Sequence, residues 1–279
     1  MTNEANVSVE NNSKAKGSNV VAGIIIVICL IVGWAIWEFV MGHPDNFMGG
    51  DPENGQPKEG SILGMVYKGG FIVPILMGLL LMTIVFSIER FFVISKAAGK
   101  GSLDKFVAKV KAEVASGDIN AAIATCDTQQ GSVANAIRSA LVKYQEVKRE
   151  GFDSEKAEEA IQKEIEQATS LEMPMLEKNM TILATLVSIG TLVGLIGTVS
   201  GMIKAFSGLA SAGAPDQAAL ANGISEALIN TATGITTSTI ATITYNYFTA
   251  KIDTLTYFID EAGSSITQAY RRARGKSNN

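Results

Sequence analysis

The sequence predicts an all-α fold: an integral membrane protein with four transmembrane helices and a helical cytoplasmic domain between spans two and three. Three observations carry that expectation. Charge is segregated, with long stretches almost free of it although 18% of the 279 residues are charged and 47% are apolar. Four of those stretches reach the roughly 20 residues needed to cross a hydrocarbon core. The charged segment between the second and third shows helical periodicity throughout. A net charge of -4 lacks the basic field of a nucleic-acid binder.

After an expected cytoplasmic N-terminal tail (1–18), the first span is expected over 19–41, NVVAGIIIVICLIVGWAIWEFVM. Lys14 and Lys16 precede it as in a signal peptide, but Trp and Phe stand where small residues would mark cleavage, so an uncleaved span is expected. Trp34 and Trp37 are placed to anchor its far end among headgroups. Residues 42–69, rich in Gly, Pro, Asp and Glu, are expected to form an irregular, exposed periplasmic loop. The single histidine, His43, falls there beside Pro44 and is expected to be a loop residue.

The second span is expected over 70–94, with Pro74 in its first turns, where a missing N–H costs least. Glu89 and Arg90 mark its far end. The cytoplasmic domain, 95–180, divides into helices at Gly117–Asp118 and again before Asp153 and Ser154, either of which is a suitable N-cap. The third span is expected over 181–207, a periplasmic loop over 208–222, the fourth span over 223–250, and a cytoplasmic C-terminal helix and tail over 251–279. Lysine and arginine crowd the middle segment and the tail, whereas 208–222 has neither. The positive-inside rule then places both termini in the cytoplasm.

The fourth span is unusual, with seven threonines between Thr231 and Thr244. Local propensity favours a strand. In lipid, however, a lone strand leaves its backbone groups unpaired, so a helix is expected. At 100° per residue, Ala227, Thr231, Gly234, Ser238 and Ala241 gather on one small or polar face, and Leu228, Ile235 and Ile243 on the other. In the third span Gly190, Gly194, Gly197 and Gly201 form one stripe, with Thr191 and Thr198 beside it. Small residues let helices approach closely in lipid, so tight packing alone is one reading of the stripe. Glu226, near the outer end of the fourth span, is an ionisable group at a costly depth and hence a functional candidate. The other reading makes it an acid near a helix N-terminus. Lys204 is expected to snorkel to the surface. Cys29 and Cys126 lie in an apolar run and a polar helical region, which argues against both a disulfide and a metal site. No nucleophile–base pair, phosphate-binding glycine loop or metal-ligand cluster points to an enzyme, and no cofactor is expected.

The stretch LVGLIGTVSGMIKAF followed by ISEALINTATG resembles the MotA/TolQ/ExbB proton-channel family, and within it the ExbB/TolQ branch. SIERFFVISKA, SGDINAAIATC, GSVANAIRSAL and MPMLEKNMTILATL fit the same pattern in order. The resemblance covers about 60–252 and leaves out the first span. It implies a pentamer in the bacterial inner membrane, embedded in lipid, whose last two spans surround an ExbD/TolR-like single-span partner and which works with a TonB-like protein. It implies that Thr198 in IGTVSG and Thr231 in NTATG face the partner's aspartate, and that Glu226 in SEAL is the family's intramembrane glutamate. The expected function is conversion of proton-motive force into mechanical work for TonB-dependent outer-membrane uptake. A TolQ-type envelope role, a MotA-like motility stator and, from another class, a passive membrane scaffold are the alternatives.

Overall fold

The computed structural model describes residues 21–211 and 217–275. The expected tail 1–18, the first two residues of the first span, part of the 208–222 loop and the last four residues lie outside them. Among the described residues every extended element is a helix: α1 (Val21–Met41), α2 (Ile62–Tyr67), α3 (Ile72–Ala98), α4 (Leu103–Ser116), α5 (Ile119–Gln129), α6 (Gly131–Glu150), α7 (Ser154–Glu177), α8 (Met180–Ser211) and α9 (Gln217–Gly275). Three segments are long and apolar enough to cross a membrane: α1, the apolar part of Ile72–Ser116, which is α3, and Met180–Gly208 within α8. The threonine-rich part of α9 is not among them. Its hydroxyls are nonetheless turned inward: those of Thr233, Thr236, Thr239 and Thr242 donate to the carbonyl one turn back at 2.7–2.9 Å. A satisfied hydroxyl costs far less in an apolar surrounding than a free one.

The chain divides into two compact units, Met1–Ser87 with Asn179–Tyr245 and Ile88–Lys178 with Asn246–Asn279. In the first, α1 meets α3 backbone to backbone, since a Cβ on Gly33 would lie 2.6 Å from the Gly78 nitrogen. The segment after α1 is largely exposed and irregular, as its composition predicts, but it has a small core of its own. Phe47 is fully buried, and Tyr67 stacks on Trp37 with centroids 4.7 Å apart while its carbonyl accepts the Trp37 indole N–H. Trp37 is thus held by protein, whereas Trp34 stays exposed. Asn46 organises the segment. Its amide donates to the Val40 and Met41 carbonyls, and its oxygen accepts from Ser61. Those carbonyls are orphans of the last turn of α1. Ser61 in turn caps α2 by accepting from Gly64 N–H, and His43 accepts from Asp45 N–H.

The second unit is built from amphipathic helices. α4 buries Phe106, Val107, Val110 and Val114. It ends at Gly117, whose φ of 87° suits glycine, and Asp118 then caps α5. Asp153 caps α7 through Lys156 N–H. The far half of α9 buries Ile252, Leu255, Ile259, Ala262 and Ile266 at spacings of three and four. The 59-residue α9 has no break at 250/251, where the span was expected to give way to a separate helix, because neither glycine nor proline interrupts it there.

Both cysteines are free, and among the described residues no group of His, Cys, Asp and Glu is placed to hold a metal. Burial pushes the Cys126 thiol up to about 12. At pH 8 only about one part in ten thousand would be thiolate. Iodoacetamide is therefore expected to leave Cys126 untouched in the folded protein and to label it once α5 is unfolded, as read by intact-mass spectrometry. Rapid labelling of folded protein would show that this core opens.

Candidate functional site

The site lies where α8 and α9 cross in the first unit, and glycine makes the crossing possible. A Cβ on Gly190 would lie 2.6 Å from Ser238 Oγ, one on Gly201 2.7 Å from the Gly223 oxygen, and one on Gly234 2.6 Å from the Gly190 oxygen. Gly194 faces Gly234, and Gly197 faces the Asn230 side chain. No larger residue fits these positions, so the two backbones touch along more than three turns. Side chains flanking the stripe are brought together as a result. Thr191 donates to Ser238 at 2.9 Å.

Two turns further along, the hydroxyls of Thr198 and Thr231 are hydrogen-bonded to each other. Both also reach the Ala227 carbonyl, Thr231 at 3.2 Å and Thr198 at 3.4 Å. The pair is half-buried, and Thr198 lines an apolar groove of about 570 Å³ with Val199, Met202, Ile203 and Phe206. The groove therefore offers hydroxyls in an otherwise apolar wall.

Glu226 is 8% exposed. Its Oε1 accepts from Lys204 Nζ at 2.6 Å. Lys204 is 56% exposed, as its position predicted, and its ammonium is also tied to a carboxylate on the neighbouring helix. Glu226 does not draw on a helix terminus. α9 begins at Gln217, nine residues earlier, and the dipole's influence is confined to the first turn. Close packing on the turn before α3 desolvates this carboxylate, and its cation offsets the cost. At Gly70, where φ is +78°, a Cβ would lie 2.6 Å from Glu226 Oε1. Only glycine combines that conformation with that space.

Asn230, one turn after Glu226, occupies the centre of the seam. Fully buried, it donates from Nδ2 to the Gly69 carbonyl at 2.8 Å, so α9 grips the α2–α3 turn through two successive turns. Its Oδ1 has no hydrogen-bond partner. A buried amide oxygen so placed is an acceptor ready for a proton donor. An Asn in an apolar helix was the available signal; what it meets was set by the crossing.

The arrangement places an ion-paired carboxylate, a buried amide oxygen without a hydrogen-bond partner and two linked hydroxyls along one helix seam beside a groove. A family model described as the MotA/TolQ/ExbB proton channel family matches residues 129–261. The match contains Thr198, Glu226, Thr231 and every glycine of the crossing. No curated protein matches the chain.

Proposed function

The chain belongs to the MotA/TolQ/ExbB proton channel family, and from that premise we propose that it is the ExbB-like subunit of a proton-driven motor in the bacterial inner membrane. The family match supports a membrane protein with a proton-channel, stator-like role rather than an enzyme. In the reading proposed here α9 supplies a fourth span, both termini are cytoplasmic, and five copies surround an ExbD/TolR-like helix. The outward row Leu192, Leu195 and Ile196 on α8 suits contact with neighbouring copies or lipid. A TonB-like protein would carry the output to the outer membrane.

The observation that carries this reading is the linked Thr198–Thr231 pair at the edge of an apolar groove. A carboxyl on a partner helix entering the groove meets hydroxyls in a low-dielectric wall. Once protonated it crosses that wall at much lower desolvation cost than as a carboxylate. Proton arrival and loss would then gate movement of the partner helix past α8 and α9. Glu226, held by Lys204, supplies fixed charge and hydrogen-bonding capacity at the outer end of the path.

Thr198→Val and Thr231→Val keep side-chain volume and remove the hydroxyls. Each lost hydrogen bond is worth about 1–3 kcal/mol at a buried polar centre, and proton flux is expected to fall by about tenfold to a hundredfold. Glu226→Gln is expected to impair it as well. The measurement is proton uptake by vesicles carrying the chain with its partner, alongside a check that the complex still assembles. Undiminished flux in all three variants would leave α8 and α9 as a packing scaffold. The four-span layout also suits a MotA-like motility stator; recovery of a flagellar or gliding rotor component in pull-downs would select that role, and loss of TonB-dependent uptake the first.

A further inference from the structure

The second unit contains a cavity of about 540 Å³ among α3, α6 and α7, which shares no lining residue with the groove just described. Gly131 and Ser132 bring the start of α6 to its wall. That 20-residue helix begins without a side-chain cap, so its first N–H groups present a partial positive charge. Gln130 and Gly131 reach this start through two left-handed residues, with φ of 59° and 88°.

Ser132 provides a second and independent sign. It is 2% exposed, lines the cavity, and its Oγ has no hydrogen-bond partner. Buried hydroxyls are normally satisfied, so this one is placed for an acceptor that enters from the cavity. Lys96 and Lys178 also line the cavity, and neither is held by an ion pair among the described residues. The acids nearby are already engaged. Both oxygens of Glu89 accept from Arg90, at 2.6 and 2.7 Å, and Glu172 accepts from the Asn135 amide. Arg90 is itself committed to Glu89 and to the Met175 and Leu176 carbonyls.

We propose that this cavity binds a phosphate group, with the α6 N-terminus and Ser132 Oγ donating to its oxygens and Lys96 and Lys178 balancing its charge. A helix N-terminus with a hydroxyl and two flexible ammonium groups suits a tetrahedral oxyanion with several acceptors. The volume exceeds that of a bare phosphate, leaving room for a substituent. Lys96 sits in the last turn of α3, a helix apolar enough to cross a membrane, so an anionic lipid headgroup and a free phosphate are the two sources of the same chemistry.

The test uses the full chain, stripped of lipid in dodecyl maltoside micelles. One arm titrates inorganic phosphate. The other titrates dioctanoyl phosphatidylglycerol, with dioctanoyl phosphatidylcholine as the uncharged control, and both are read by phosphorus NMR and native mass spectrometry. Saturable binding of one phosphate group per chain is expected in one arm, and that arm identifies the source. The surface double variant Lys96→Gln/Lys178→Gln is expected to weaken it about tenfold or more. Ser132→Ala is expected to weaken it several-fold. Absence of saturable binding in both arms would overturn the proposal. So would binding unchanged in the double variant, or a Ser132→Ala variant that gains thermal stability while binding as before.

Discussion

Gly234→Leu is expected to part α8 from α9 and to leave little folded protein in the membrane. Its Cβ alone would lie 2.6 Å from the Gly190 oxygen and 2.8 Å from the Gly194 Cα. Both are backbone atoms, so no rotamer change relieves the overlap and one helix must move away. Overpacking of this kind typically costs about 1–3 kcal/mol, and more where backbone is displaced. In lipid nothing offsets it, because the added leucine atoms gain no hydrophobic free energy from leaving an apolar solvent. The Thr191–Ser238 and Thr198–Thr231 hydrogen bonds would be lost with the contact. Denaturant titration in micelles, followed by circular dichroism, is the measurement. Ile235→Leu, at a neighbouring position that is 50% exposed, is the control expected to change nothing. Equal stability of the two variants would mean that α8 and α9 do not touch at Gly234.

Arg90→Met is the second large loss, at about 3 kcal/mol. The guanidinium is 1% exposed and joins two jobs: a bidentate pair with Glu89 and donation to the last carbonyls of α7 at Met175 and Leu176. Removing one partner of a buried pair costs about 3–5 kcal/mol; the lower figure applies because the Glu89 side chain keeps 31% exposure. The end of α7 would fray, since its final carbonyls lose their donor. Hydrogen exchange should therefore rise at Glu172–Glu177 before it rises in α4 or α5. Adding Glu89→Gln to Arg90→Met should return part of the loss, because an amide costs less than a carboxylate beside the methionine. A double variant as unstable as the sum of the singles would show that the two side chains act independently.

Span-length apolar runs identified α1, α3 and α8 from composition alone, because lipid tolerates only chain that satisfies its own backbone and hides its charge. The amphipathic rhythm of α4 through α7 was equally legible, as were the breaks at Gly117–Asp118 and Asp153, since capping chemistry is local. Residues 42–69 were legible only in part. Gly, Pro and Asp there do make turns, but Phe47, Asn46 and Tyr67 give the segment a core through partners many residues away, and no local pattern announces such contacts. Lys204 shows the same limit: the sequence marks it as a surface group, which it is, but does not show that its ammonium pairs with Glu226 of another helix.

For the candidate site, the sequence by itself determined which residue types lie in α8 and α9 and on which face of each. Periodicity assigns the glycines to one stripe and the threonines beside it, because side-chain direction along a helix follows from its 3.6-residue turn. Only the tertiary structure decided the register of one helix on the other. That register pairs Thr198 with Thr231, ties Glu226 to Lys204 and sets Asn230 against Gly69. Register is a property of two surfaces fitted together: sliding α9 by one turn would keep every periodicity in the sequence and change every one of those partners.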